Sequence, residues 1–486
     1  MKNKNLKRFL SGGLVLMLTI LAGHAQQADS LSHYLETAAR NNPLINADFA
    51  SYKASVEKVT QAGAYPDPEL EIGFFLKPME VVNGKQLANF TLMQMFPWFG
   101  TRGAARSEAT QMTKMAYEKF RESRNELYYQ VKSQWYQLSN LREQWKNTQA
   151  HLVLLNQLEQ LALTRFSSPA GGRGSSQQGF SSAAQQPAAV AGGGGQSMGG
   201  MGGAPQSGSA PAAASSMNSM PTSSMSGGSS SSLSDVLRIQ LEKKELENKL
   251  ETILSDTKAA EARFNALLNR SQQLPVTVPD SLQRVLFAAN DRALLDTITT
   301  QNPMLAMLEA EGNAYEAKRV MDKRMSYPML GIGLQYSLIG QKTLTADNMG
   351  SMSGMNGNDM IMPMVKITLP IFRRKYNAQQ RESRYNSQSS RMKYDDTLNK
   401  LQAEYIGLKQ QLEDASRKVT LYEEQYTLSQ SIYRVMVQGF SAGSTSLTDV
   451  IAVERQMLDY TLRESEAIAS YNTVVAGIDK LVSTSF

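Results

Sequence analysis

The sequence predicts a mainly α-helical protein with a small membrane β-barrel, and three observations carry this prediction. Apolar residues recur about every 3.5 residues along two very long segments. The chain is written twice, because the same landmarks follow one another in each half. Segments of about ten residues alternate between apolar and small or polar side chains, which is typical of strands with lipid on one face and water on the other.

The long helices are predicted most clearly in the second half of the chain. Its apolar residues follow a 4,3 spacing, which is typical of helices that wind around one another with a left-handed supercoil. A shift of 274 residues, from Tyr405 back to Val131, places a weaker copy of this pattern in the first half. The second-half series is Tyr394, Leu398, Leu401, Tyr405, Leu408, Leu412, Ala415, Val419, Tyr422 and Tyr426. A continuous helix over 372–440 is ~100 Å long at ~1.5 Å per residue.

Landmarks at the helix ends repeat as well, and they expose an insertion. The run LSDV at 233–236 matches LTDV at 447–450, where the second half has only the short turn SAGSTS. The first half carries a Gly-, Ser- and Met-rich segment at 167–232 in the corresponding place. Glycine opposes helix formation through its ordering entropy, so we expect a disordered insert at the tip of a helical hairpin.

Each half is predicted to contain a helix, two strands, a very long helix, a turn and a further helix. The chain is therefore divided into a signal peptide at 1–25, a first repeat at 26–270, a linker at 271–290 and a second repeat at 291–486. Helices are predicted at about 31–65, 98–166, 233–270, 291–326, 372–440 and 446–483, and strands at about 68–76, 88–96, 329–339 and 361–369.

The N-terminal segment predicts export from the cytoplasm. A basic start precedes a short apolar run at 9–22, and Gly23-His24-Ala25 offers small residues at the positions that a signal peptidase inspects. The apolar run is too short to span ~30 Å of hydrocarbon, which disfavours the alternative of a membrane anchor. Loss of the four basic residues of this segment lowers the formal charge from +6 to +2. The composition therefore gives no support for a nucleic-acid partner.

Residue types exclude several kinds of site. The chain has no cysteine, which excludes disulfides, thiolate metal sites and a cysteine nucleophile. It has only three histidines, and His33 and His151 lie in separate helical segments without a catalytic motif beside them. We therefore expect neither an enzyme nor a bound cofactor.

The predicted strands have one apolar face each. Leu330, Ile332, Leu334, Tyr336 and Leu338 alternate with Gly331, Gly333, Gln335 and Ser337, and Leu70, Ile72, Phe74 and Leu76 alternate with Glu69, Glu71 and Gly73. This pattern suits a membrane barrel with a wet lumen, and the alternative is an amphipathic sheet packed on helices. Because the smallest barrels have about eight strands, four strands require several chains to share one barrel.

Two motifs carry a resemblance to a known family. QMFPWFGTRGAARSEA (94–109) and TLPIFRRKYNAQQRES (368–383) are similar to the strand-to-helix junctions of the TolC family of outer-membrane efflux channels. Within that family they resemble the heavy-metal branch of copper/silver or cobalt–zinc–cadmium type. The segment FSAGSTSLTDV (440–450) resembles the periplasmic tip of these channels. The chain departs from the family pattern in its missing N-terminal cysteine, in Thr445 where a basic residue is common, and in Ala452 where a second aspartate is common.

The resemblance implies a TolC-like homotrimer in the outer membrane with a long periplasmic extension. Each chain would give four strands to a shared barrel of about twelve strands, above a tunnel of coiled-coil helices. The implied partners are outer-membrane lipid, a periplasmic adaptor (membrane fusion) protein and an inner-membrane pump of the resistance-nodulation-division type. The implied function is passive conduction of exported substrates, with heavy-metal ions such as copper or silver as the predicted cargo. The alternatives are a channel for drugs or other organic compounds and a periplasmic coiled-coil scaffold without a pore.

The candidate functional residues lie at the hairpin tips. Asp235, Asp449 and Thr445 are predicted to line the periplasmic aperture, and Phe166, Phe440, Gly443 and Ser446 to contact the adaptor. A ring of carboxylates would attract cations. The alternative for the two aspartates is local, because an acid in the first turn offsets the helix dipole.

Methionine clusters predict the cargo. Thioether sulfur is a soft ligand that selects Cu(I) and similar ions over hard ones. The predicted metal-binding residues are Met198, Met201, Met217, Met220 and Met225 in the insert and Met349, Met352 and Met355 in the loop between the last two strands, with Met360, Met362 and Met364 following that loop. The alternative is that such tracts are compositional filler. Met93, Met112 and Met307 are interpreted as packing residues.

Overall fold

The computed structural model describes residues 31–81, 84–167, 231–287, 290–341 and 358–483. The signal segment, the tip insert from 168 to 230 and the loop at 342–357 lie outside the described residues. The described helices are α1 (Leu31–Asn41), α2 (Pro43–Ala62), α3 (Thr101–Ser167), α4 (Ser231–Leu267), α5 (Asp291–Gln301), α6 (Pro303–Met325), α7 (Arg373–Ala442) and α8 (Leu447–Val482). The described strands are β1 (Glu69–Phe74), β2 (Glu80–Val81), β3 (Gly84–Phe96), β4 (Met329–Gln341) and β5 (Met360–Thr368).

The helix that opens each repeat is divided in two, where the sequence predicted one continuous helix. The break falls at Asn42 in the first repeat and at Asn302 in the second. A proline follows each asparagine, and its ring disfavours helical geometry in the residue before it. Each asparagine therefore takes an extended conformation and caps the next helix, accepting a hydrogen bond from the Leu44 N–H at 2.9 Å or from the Met304 N–H at 3.0 Å.

The same asparagines fasten each opening helix to the end of its repeat. The Asn42 amide donates to the carbonyl of Leu267 at 2.9 Å, and the Asn302 amide donates to the carbonyl of Leu481 at 3.0 Å. The two carbonyls belong to the last turns of α4 and α8, which are the return helices of their repeats. Backbone oxygens in the last turn of a helix have no partner within that helix. One side chain thus satisfies a helix start and a helix end.

The strands form one antiparallel sheet in the order β1-β3-β4-β5, with the short β2 beside β3. Leu92 faces Leu70 on one side and Leu334 on the other, and Leu334 in turn faces Pro363. The alternating apolar residues therefore share one face of the sheet. Helices leave this face open, since Ile332 is 64% and Val365 is 74% exposed. The alternative of an amphipathic sheet whose apolar face packs on the helices of the same chain is therefore wrong for the described residues.

Two helical hairpins extend from the sheet. α3 and α4 form the first, α7 and α8 form the second, and α3 packs along α8 to join them. Their far ends share an apolar cluster that contains Leu155, Ile239, Leu447 and Val450. Within the described residues, no helix combines the length and apolar character needed to cross a membrane.

Candidate functional site at the hairpin tips and strand–helix junctions

The tip of the second hairpin is a tight turn built on one glycine. Gly443 ends α7 with a φ of +83°, a left-handed conformation that costs a residue with a Cβ more than it costs glycine. The Ser444 N–H donates to the Gly439 carbonyl at 2.9 Å, which closes the end of the helix. Ser446 then caps α8, because its hydroxyl accepts from the Thr448 N–H at 3.1 Å. The chain reverses direction within four residues.

Apolar side chains support this turn from beneath. Phe440 is 3% exposed and packs in the cluster that contains Leu447 and Val450. Gly443 and Ser446 are exposed, whereas Thr445 is half-buried and its hydroxyl lies against Gly439. The turn therefore offers a rigid surface made mainly of backbone, and Phe440 holds its shape from inside.

The return helices bring the two predicted acids to the same end of the molecule. Asp449 is exposed in the first turn of α8, and Asp235 is half-buried near the start of α4. Arg238, one turn after Asp235, donates a hydrogen bond to the hydroxyl of Thr448. This contact ties the first turns of α4 and α8 together.

A buried polar pair links the hairpins farther from the tip. Nδ1 of His151 in α3 and Oε1 of Glu454 in α8 are 2.7 Å apart, and both side chains are almost fully buried. Burial raises the pKa of the Tyr433 phenol, and the nearby Glu454 carboxylate adds to this. On the next residue of α8, Arg455 donates from Nε to Oε2 of Glu242 in α4 at 2.6 Å. Polar bonds thus hold α8 against both helices of the first hairpin.

Aromatic and basic side chains gather where the strands meet the helices. Trp98 stacks on Tyr327 with 5.4 Å between ring centroids, and the Arg102 guanidinium lies 3.3 Å from the centre of the Tyr65 ring. Arg102 also donates to the Gly63 carbonyl, and Arg324 donates to the Phe99 carbonyl at 2.9 Å. Trp and Tyr beside cationic residues are typical of the boundary between membrane and water.

The comparisons with known proteins agree with this architecture. Residues 294–483 match the outer membrane efflux protein family. The match covers nearly all of the second repeat, from α5 to the end of α8. No curated protein matches the chain.

Solved structures of outer-membrane channels share the fold along almost the whole chain. CusC, whose structures are described in terms of transmembrane channel formation, is 12% identical over 95% of both chains with a TM-score of 0.67. VceC of Vibrio cholerae is 13% identical over 93% of this chain and 96% of its own, with a TM-score of 0.64. The open state of the MtrE outer membrane channel of Neisseria gonorrhoeae is 12% identical over 93% of this chain and 88% of its own, with a TM-score of 0.63. Identities this low show the fold alone.

These findings confirm the predicted fold class, a mainly α-helical TolC-like chain with a small antiparallel sheet. The match of residues 294–483 to the outer membrane efflux protein family agrees with the predicted location, the outer membrane with long helices on the periplasmic side. The TolC resemblance is thereby supported at the level of the outer membrane efflux family, whereas its heavy-metal branch remains a prediction.

The structure places the predicted site residues unevenly. Asp235, Asp449, Thr445, Gly443 and Ser446 gather at the hairpin tips, and their roles stay predictions. Phe166 lies in the last turn of α3, but its side chain is outside the description. The predicted metal-binding residues Met198, Met201, Met217, Met220, Met225, Met349, Met352 and Met355 lie outside the described residues.

The sequence reasoning missed the polar links between the hairpins. His151 and Glu454 are far apart in the chain, and each falls within a helix that is otherwise rich in charged and polar residues. Their pairing depends on how α3 lies against α8, which the spacing within one helix does not determine. The only signal was that the 4,3 series of the first half is interrupted near His151.

Proposed function

We propose that this protein is the channel subunit of a tripartite efflux system, and that it conducts soft metal ions such as Cu(I) or Ag(I) out of the cell. The observation that carries the channel is the sheet, whose apolar face is exposed and whose end strands β1 and β5 each have a hydrogen-bonded neighbour on one side only in the described sheet. Open edges and a bare apolar face are unfavourable in water. Both are removed when several copies close one barrel in lipid.

The order and direction of the strands allow three copies of the chain to close one barrel. Neighbouring strands along β1-β3-β4-β5 are antiparallel, so β1 and β5 run in opposite directions. The β5 edge of one copy can therefore pair with the β1 edge of the next and continue the antiparallel pattern. Three copies give about twelve strands, enough to enclose water. The exposed residues Ile72, Ile332 and Val365 then form part of a continuous lipid-facing band.

The turn at Gly443 is the proposed docking point for a periplasmic adaptor. It is exposed, rigid and at the end of the molecule that faces an inner-membrane pump if the sheet lies in the outer membrane. An adaptor would contact mainly backbone atoms there, since the side chains of the turn are small. In this proposal the channel performs no chemistry, and the pump supplies the energy.

The test combines one tip substitution with a choice of toxic substrates. In cells that depend on this channel, Gly443→Trp should abolish tolerance to copper and silver while leaving trimer yield unchanged, because bulk on an exposed turn blocks docking. Gly443→Ala is the matched control, since it carries the same strain at a φ of +83° with little bulk, and it should retain efflux.

Four results would contradict parts of the proposal. Normal efflux by Gly443→Trp would exclude docking at this turn. Protection of the parent strain against organic compounds but not against copper or silver would identify the cargo as organic. A detergent-free, monodisperse monomer, in place of heat-modifiable trimers in the outer-membrane fraction, would exclude the channel. A copper-tolerant parent strain with no dependence on an adaptor would exclude the tripartite arrangement.

A further inference from the structure

We propose that the luminal face of the sheet carries a thioether site for a soft monovalent cation, centred on Met93, Met364 and the glycines between them. The inference rests on the proposed function, because that function makes this face the lumen of a channel. It goes beyond the methionine clusters predicted by the sequence, since it joins Met364, which follows the predicted loop cluster, to Met93 and Met95 of β3 across β4.

The strand register brings these methionines onto one face. Met93 of β3 lies opposite Gly333 of β4, and Gly333 lies opposite Met364 of β5. Residues directly opposite one another in a sheet point to the same side. Thioethers from β3 and β5 therefore flank a strand that presents only a hydrogen atom at this point.

The distribution of methionine over the two faces is one-sided. All six methionines of the described strands lie on the polar face, and the apolar face of the same strands has none. Their positions are Met93, Met95, Met329, Met360, Met362 and Met364. Methionine used as a flexible apolar filler would suit the lipid-facing positions as well, yet most of these positions hold Leu, Ile, Phe or Val and none holds methionine. The one-sided placement supports a luminal role for these methionines, and the proposed site includes Met93, which the sequence analysis interpreted as a packing residue.

Two glycines allow the sulfur atoms to converge. A Cβ at Gly331 would lie 2.6 Å from Sδ of Met95 and 3.2 Å from Sδ of Met93, so both thioethers fold over the same glycine. A Cβ at Gly333 would lie 3.0 Å from Sδ of Met93. A larger residue at Gly331 would need the thioethers to move, and one at Gly333 would also lie 2.9 Å from the backbone oxygen of Leu92. Gly331 thus makes room for the two thioethers of β3, and Met93 reaches both glycines.

The charges around the cluster favour a cation at one end of it. Glu69 lies opposite Met93 on the same face, and Glu71 follows one row farther along. Lys366 lies opposite Gly331 at the other end and would repel a cation there. The row of Glu69, Met93, Gly333 and Met364 is therefore the preferred position.

The ligand type selects the ion. Thioethers prefer Cu(I) and similar soft ions, and they need no deprotonation to bind them. Among the described residues, no group of three or more His, Asp or Glu side chains is placed to hold a harder metal ion. A row of thioethers on each protomer would give a soft ion successive weak sites through the membrane.

The closing experiment measures silver bound to the purified full-length protein. Silver nitrate is added to the detergent-solubilised protein, excess metal is removed by desalting, and retained silver is counted per chain by elemental mass spectrometry. The test variant is Met93→Leu/Met95→Leu/Met364→Leu, which keeps volume nearly constant while removing sulfur. The matched control is Met112→Leu/Met325→Leu/Met392→Leu, which removes the same number of thioethers from helices.

We expect the test variant to retain less silver than the parent protein, and the control to retain as much as the parent. Half-saturation of the strand site should require at least about tenfold more silver after the change. Gly331→Ala should weaken retention as well, although it removes no sulfur, because its methyl group occupies the place where the thioethers of Met93 and Met95 meet. This single variant also serves if the triple variant fails to assemble.

Equal silver retention by parent, test and Gly331→Ala proteins would overturn the inference. Conductance in planar bilayers separates this result from a failure of the proposed function. If the parent protein forms pores but binds silver no better than the test variant, the channel function is supported and the thioether site is contradicted. If the parent protein binds silver and the triple variant Met93→Leu/Met95→Leu/Met364→Leu does not, but the parent never forms pores, the thioether site is supported and the channel function is contradicted.

Discussion

The two repeats differ in the side-chain contacts that join the opening helix to the long helix, which are polar in the second repeat and aromatic in the first. In the second repeat, Tyr405 of α7 donates its hydroxyl proton to Oδ1 of Asp291 at 2.8 Å, and Lys409 bonds the other oxygen of that carboxylate. At the corresponding positions the first repeat has Leu31, Val131 and Trp135. There Trp135 packs 5.2 Å from the ring of Tyr34, which meets Phe264 edge-on at 5.1 Å.

The backbone frame around these contrasting contacts is the same. Asn42 and Asn302 make matching bonds to Leu267 and Leu481, as described above. The return helices also end alike, since Asn269 and Ser483 have φ values of 52° and 54°. Caps and helix ends are therefore shared by the two repeats, whereas the matching side chains between them form a buried aromatic contact in the first repeat and a partly exposed polar contact in the second.

The largest difference between the repeats is expected from Trp135→Ala. Trp135 is buried, and truncation of a buried Trp costs about 3–5 kcal/mol of the free energy of unfolding. Lys409→Ala, at the matching position of the second repeat, should have a much smaller effect because its side chain is half in water. Denaturant unfolding followed by far-UV circular dichroism measures both. Equal losses for the two variants would show that the repeats do not differ in the way their contacts suggest.

An intermediate difference is expected between the two asparagines. Asn302 is 4% exposed and Asn42 is half-buried, so loss of the bond to the Leu481 carbonyl should be the more costly. For Asn302→Ala we expect a loss of about 2–4 kcal/mol, from a missing cap and an unsatisfied buried carbonyl. Asn42→Ala should cost about 1–2 kcal/mol, since water can reach the exposed groups.

Aspartate at the same positions separates the two roles of asparagine. Asn302→Asp keeps an oxygen that accepts from the Met304 N–H but removes the amide donor to Leu481. The buried carboxylate would also face the Leu481 carbonyl with no hydrogen between the two oxygens, so the stability of this variant should fall well below that of the parent. A variant as stable as the parent would mean that the link to the return helix contributes nothing.

The sequence predicts features that depend on residues close together in the chain, and it misses features that depend on contacts between distant segments. Periodicity predicted α7 and the apolar face of β4, because both depend on neighbours within one element. It placed a single helix across Asn42, because the 3.6-residue pattern continues through the break and conceals the effect of Pro43. It gave no sign that Met93 shares a face with Gly333, because the register between β3 and β4 is not a property of either strand alone. The link between His151 and Glu454 likewise arises from contact between distant helices.

The smallest expected effect concerns acid, and it should appear in the second repeat alone. Hydrogen bonds from Lys409 and then from Tyr405 hold the pKa of the Asp291 carboxyl below its ordinary value of 3.8. A carboxyl with a lowered pKa stabilises the folded state above its unfolded-state pKa, and this contribution is lost as the pH falls through the folded-state value. Asp291→Asn should therefore lower the melting temperature slightly at about pH 6, and the gap to the parent should close towards about pH 3. Leu31→Asn, at the matching position of the first repeat, is the control, and any effect it has should not depend on pH over this range. A gap that stays constant for Asp291→Asn would mean that the ionised carboxylate contributes nothing, and that the polar contacts of the second repeat only fill space as the aromatic ones of the first repeat do.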